Sequence, residues 1–155
     1  MRRVFLIGAI GLALSTSNSL PFSPSPVIAI VGSKTLACDR TREPILVSIA
    51  TLVAAPDRYH LRYVTVRGRI TQPELHLDET ELFLDFVFVL EEQAQTLVVF
   101  GRFDRTLGNT PIATDAMVEV TGLFWKERMA GGYRVRSTLE ACRVSPYPSL
   151  NPDAV

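Results

Sequence analysis

Hydrophobic positions change their spacing once along this chain, near residue 60. Before that point, "VSIATLVAAPDRY" places Ile49, Leu52 and Val53 at helical intervals. Ser48 is a suitable N-cap and Pro56 a suitable stop, so the stretch predicts one helix of about two turns. The same residues are rich in β-branched types, and a strand from Ile45 to Val53 is the alternative. From Leu61 onward the period is two. Five strands are predicted: 61–71 "LRYVTVRGRIT", 81–91 "ELFLDFVFVLE", 95–103 "QTLVVFGRF", 116–126 "AMVEVTGLFWK" and 132–144 "GYRVRSTLEACRV". The segments between them read as turns and loops. "TQPELHLDET" holds Pro73, "EEQA" suits a tight hairpin, "DRTLGNTPIATD" is too broken for a long helix, and Gly131-Gly132 marks a turn.

Two of these strands repeat one pattern. Val64, Val66, Gly68 and Ile70 match Val118, Val120, Gly122 and Phe124. A glycine inside a strand weakens it unless the strand must bend or approach another backbone closely. In each strand the valines, the glycine and the large apolar residue share one face, which suits a narrow barrel interior. The other face of the first strand carries Tyr63, Thr65, Arg67 and Arg69 and reads as solvated.

The order of these elements is the basis of a family resemblance. A short helix ending in "APDRY", V-x-V-x-G, a long second strand, a hairpin, a broken connection, a second V-x-V-x-G and the closing "TLEACRV" together resemble an OB-fold. The likeness is to anticodon-binding-type OB modules and small exported bacterial OB domains, and it covers residues 46–145. It implies an all-β fold: a five-stranded closed or partly open barrel with a short N-terminal helix. An antiparallel sandwich is the competing architecture.

The first 29 residues read differently. "MRRVFLIGAIGLAL" has two arginines followed by an uncharged apolar run from Val4 to Leu14, too short to span a bilayer comfortably. This is the layout of a secretory signal peptide. Val27 and Ala29 suit cleavage after Ala29, with Ser19 as the alternative site and a retained anchor as the alternative fate. "RRVFL" matches only part of a twin-arginine signal. Residues 30–45 form a lead-in, and the proline-rich 146–155 is expected to be unstructured. The expected location is a bacterial periplasm or the exterior.

Charge and cysteines bear on partners and compartment. The chain has 16 basic and 16 acidic residues. Residues 1–29 hold Arg2, Arg3 and no acid, so the remainder carries 14 basic and 16 acidic residues, a formal net charge of −2. That offers no general attraction to a phosphate backbone. Cys38 and Cys142 are candidates for one disulfide in an oxidising compartment. Two unpaired thiols is the other reading. Lipidation of Cys38 is a third, disfavoured because "KTLAC" puts Leu36 one place too near the cysteine.

No catalytic constellation emerges. His60 and His76 lack metal-ligand spacing. The acidic 74–81 loop lacks the spacing of a calcium loop, and no phosphate loop or nucleophile elbow is present. The expectation is therefore a binding module, with no enzyme activity, cofactor or metal. The resemblance implies binding on the face of the second and third strands, framed by loops 71–80 and 126–132. There it places Phe83, Val87, Phe100 and Arg102, with Arg128 on the second loop, Trp125 next to it, and Arg67 and Arg69 on the first strand. The second strand is apolar on both faces, so one face needs a cover. The candidates are the chain's own N-terminal segment, a partner protein, a second copy or a hydrophobic ligand. Protein partnership or self-association is favoured, and oligonucleotide binding is the runner-up. Membrane contact would require a retained signal segment or a lipidated Cys38.

Overall fold

The two V-x-V-x-G stretches lie side by side. The computed structural model describes residues 38–39, 41–107, 112–130 and 132–148; the signal-peptide reading of 1–29 falls outside them. Six strands form one mixed sheet: β1 (Ile45–Leu46), β2 (Tyr63–Leu77), β3 (Phe83–Glu92), β4 (Gln95–Asp104), β5 (Met117–Ala130) and β6 (Tyr133–Pro146). Antiparallel pairing of β2 with β5 sets Val64 opposite Gly122, Val66 opposite Val120 and Gly68 opposite Val118. Each glycine thus faces a valine, and the two patterns are one seam seen from both sides.

The glycines are there for close approach. A Cβ on Gly68 would lie 2.6 Å from the Glu91 carbonyl oxygen, and one on Gly122 would collide with the Glu140 carbonyl oxygen. Neighbouring backbones cross tightly at both points, as strong coiling requires. The β2–β5 seam closes the sheet, since β2 also pairs with β3, β3 with β4, β4 with β6 in parallel, and β6 with β5. The result is a ring of hydrogen-bonded strands.

The ring interior is the main core. Val64, Val66, Ile70, Phe86, Phe88, Leu90, Val118, Val120 and Phe124 are all buried there. Its alternation matches the period-two reading, down to the V-x-V-x-G-x-apolar face. The core also takes Ile49 and Leu52 from the helix α1 (Ile49–Ala54). Ser48 caps that helix, its Oγ accepting from the Thr51 N–H at 3.2 Å. Glu92, from the β3–β4 hairpin, accepts from the Ile49 N–H at 2.7 Å. Ser48→Ala should therefore cost about 1 kcal/mol, read as a lower urea midpoint at unchanged slope. An unchanged midpoint would mean that Glu92 alone caps the helix.

Several expectations need correction. The sheet has six strands, because Ile45–Leu46 pairs in parallel with Val64–Thr65. Helix and strand both occur in 45–54, one after the other. Helix α1 ends at Ala54, before Pro56 as expected, but Pro56 does not end the helical region. It opens a second turn, α2 (Pro56–Tyr59), because proline has no N–H to lose at a first helical position. Strand β2 runs on to Leu77 and β5 to Ala130, so most of the two expected loops is paired strand. Pro73 is tolerated because β2 is bulged there: Thr71 pairs with Val89 and Glu74 with Val87, one residue too many on β2. The two hairpins thus form long arms, and pairing in the second runs out to Ala130 opposite Tyr133. Of the expected tail, Pro146 ends β6 and the Tyr147 N–H donates to the Met117 carbonyl at 2.9 Å.

Candidate binding face

The outer side of β3 and β4 carries a second, smaller apolar cluster. Val87 lies opposite Phe100 in register, and both pack with Ala130, Val98 and Val135. Ala130 and Val135 belong to the β5–β6 arm, which therefore covers the middle of the face. Val87 and Phe100 are each only 2% exposed. The second apolar face does have a cover within the chain: among the described residues it is the β5–β6 hairpin. Sequence spacing could not show this, because it reveals that a face is apolar and not which segment lies on it.

The polar members of the face are held in pairs. Arg102 lies opposite Asp85 in register and donates to both carboxylate oxygens, at 2.5 and 2.8 Å. Donating these hydrogen bonds to Asp85 raises the Arg102 pKa above its ordinary value. The same guanidinium lies 5.4 Å from the centre of the half-buried Phe83 ring. Arg128 lies over Phe100 at 4.6 Å and over Trp125 at 5.3 Å. Glu140 ties these together, pairing with Arg128 at 3.4 Å and accepting from the Trp125 Nε1–H at 3.0 Å. The Trp125 ring also meets His60 edge-on at 6.1 Å.

Six of the eight predicted residues thus gather at this face: Phe83, Val87, Phe100, Arg102, Trp125 and Arg128. Arg67 and Arg69 do not join them. Arg67 pairs with Glu119 at 2.8 Å, which raises its pKa, and stacks on Tyr147 at 4.5 Å. Arg69 pairs with Glu91 at 3.3 Å and Asp115 at 3.8 Å. Asp85 falls on the second strand of the expected face, but its pairing with Arg102 was not foreseen, and Glu140 was missed altogether. A lone acid within each of the apolar runs "TLEAC" and "FLDFV" was the available signal. Among the described residues, no three His, Cys, Asp or Glu side chains are placed to hold a metal ion.

The chain matches no protein-family model and no curated protein sequence. Among solved structures it is similar to a putative aspartyl-tRNA synthetase from Leishmania major Friedlin, at 11% identity with a TM-score of 0.46. The match covers 74% of this chain and spans 23% of the length of that protein.

Proposed function

We propose that the chain is an exported OB-type binding module without catalytic chemistry. In this reading a protein partner contacts the rim of the β3–β4 face and the ends of the two arms. The strand order supports the OB assignment: leaving β1 aside, the ring runs β2-β3-β4-β6-β5 and back to β2. One observation carries the partner reading. Leu75, Leu77 and Leu82 near the end of the β2–β3 arm, and Met129 and Tyr133 at the end of the β5–β6 arm, are 42–64% exposed. Large apolar side chains grouped at projecting ends are characteristic of interaction surfaces. The Cys38–Cys142 disulfide fits an oxidising compartment and so the exported location.

The oligonucleotide alternative is disfavoured by the ion pairs. Arg67, Arg69, Arg102 and Arg128 each hold a carboxylate, so a phosphate would have to displace it. Nucleic-acid grooves instead offer surplus positive charge beside stacking rings. Two measurements decide between the readings. Fluorescence anisotropy with a labelled single-stranded DNA should show no salt-dependent binding at low ionic strength. Binding that falls steeply with salt would favour the alternative. A photo-crosslinking residue at Tyr133, in cells that make the chain, should give one discrete protein adduct that is absent when the group is moved to Thr96. No adduct from Tyr133 would count against the partner reading.

A further inference from the structure

A cleft lies over strands β2, β5 and β6, under a strap formed by the described residues that lead into β1. The strap is tied at both ends. At one end Cys38 is bonded to Cys142 of β6. At the other, Ile45–Leu46 pairs with β2 and the Val47 N–H donates to the Thr65 carbonyl at 3.0 Å. Beneath it Thr65 and Thr121 are buried, their hydroxyls 2.9 Å apart across the β2–β5 seam. These two ties leave a cleft of about 430 Å³, lined by Arg42, Glu43, Tyr63, Thr121 and Arg143 beside the disulfide. Roughly 300–1,000 Å³ is the usual range for small-molecule sites. Tyr63 and Thr65 thus lie against this strap, where a fully solvated face was expected.

Two charges that line this cleft have no ion pair among the described residues. Seven arginines hold a carboxylate at 3.8 Å or less: Arg42, Arg67, Arg69, Arg102, Arg128, Arg134 and Arg136. Arg143, like Arg58, Arg62 and Arg105, holds none among the described residues, but it is the one of these four that lines the cleft. Its Nη2 donates to the Thr121 hydroxyl at 3.3 Å, which orients the guanidinium without neutralising it. On the strap, Asp39 is already engaged by the Thr41 N–H and hydroxyl, at 2.9 and 2.6 Å, and by Arg42 at 3.5 Å. Glu43 has no ion pair among the described residues. Among the described residues, the cleft therefore presents one oriented cation on the sheet and one carboxylate without an ion pair on the strap, and Tyr63 of β2 lines the same cleft.

We infer that this cleft binds a small zwitterion of the amino-acid type, its carboxylate on Arg143 and its ammonium on Glu43. A guanidinium recognises a carboxylate through two parallel N–H donors, and a carboxylate accepts from an ammonium. A phosphate alone would meet the guanidinium but face Glu43. A simple cation would meet Glu43 but face Arg143. The aromatic ring adds a surface for an apolar or aromatic side chain. The disulfide is part of the site, because it fixes the wall that carries Glu43. This site is independent of the partner surface proposed above.

Isothermal titration of the oxidised full chain with L-phenylalanine tests the inference. Saturable binding is expected. N-acetylphenylalanine, which lacks the ammonium, and phenylalaninamide, which lacks the carboxylate, should each bind at least about tenfold more weakly. Arg143→Gln and Glu43→Gln should each weaken binding of L-phenylalanine by about tenfold, and Arg143→Lys by less, since it keeps the charge but not the fork. Both positions are exposed, so unchanged circular dichroism is expected in each variant. Reduction of the disulfide should abolish binding at temperatures where the spectrum stays native. The inference is overturned if no saturable heat appears up to about 10 mM ligand. It is equally overturned if inorganic phosphate binds as tightly as L-phenylalanine, or if both capped forms match it.

Discussion

Gly122→Val is expected to lower stability by about 3 kcal/mol or more, the upper end of overpacking costs. The reason is local. A Cβ at residue 122 would meet the Glu140 carbonyl oxygen and carbon and the Ala141 Cα, all backbone atoms. Backbone cannot rotate away as a side-chain tip can, so β5 and β6 would have to separate. They meet here beside a bulge, where Thr121 pairs with Arg143 and Gly122 with Ala141. Separation at this point also strains the β2–β5 seam, since Gly122 pairs with Val64 across it. For a domain of this size, about 3 kcal/mol corresponds to a fall in Tm of roughly 12–24 °C. Gly132→Ala is the control. Nothing lies within 4 Å of the Cβ position there, and only the left-handed backbone at φ +83° opposes the change. That should cost about 1–2 kcal/mol. If thermal unfolding followed by circular dichroism shows Gly122→Val no worse than Gly132→Ala, close backbone approach is not what selects the glycine.

That glycine also shows what a sequence can reveal here. Period-two alternation identifies which side chains line the ring, because a strand has only two faces and the interior accepts only one kind. The doubled V-x-V-x-G signals two strongly bent strands, and in the structure those strands pair with each other. What alternation cannot give is the length of a strand beyond its apolar part. Residues 74–77 and 126–130 look like loops because they are polar or mixed, yet each arm is paired by backbone hydrogen bonds that need no apolar face. The candidate face was legible to the same extent. Phe83, Val87, Phe100, Arg102, Trp125 and Arg128 converge, but the arm that covers Val87 and Phe100 depends on how a hairpin curls, which no local pattern encodes. Arg67 and Arg69 drew notice as positive charge. Their carboxylate partners come from β3, β5 and the turn before β5, and only the register of the sheet shows that they are neutralised.

Removing the disulfide is expected to cost still more, about 4–5 kcal/mol in the chain-entropy model for a loop of this length. Cys38 and Cys142 are 104 residues apart in sequence and 5.1 Å apart between Cα atoms. The bond thus closes nearly the whole described chain into one loop, and its main effect is to restrict the unfolded state. Cys142 is the extra residue of the β5–β6 bulge, between the Thr121–Arg143 and Gly122–Ala141 pairs. A bulged residue can turn toward the strap without breaking the ladder. Cys38→Ser, Cys142→Ser and the double substitution should therefore lower the denaturation midpoint by the same amount. Equal effects mean that the second change adds nothing once the first has broken the bond, a strong non-additivity between the two positions. Additive small losses would show instead that the cysteines act separately, and the oxidised chain would then lack its mass deficit of two hydrogen atoms. The comparison also separates the bond's two roles. Its effect on global stability comes from the unfolded chain, whereas its effect on the strap comes from the folded one. Well below the unfolding midpoint, a reduced chain should keep the ring and its core and lose only the fixed wall of the cleft.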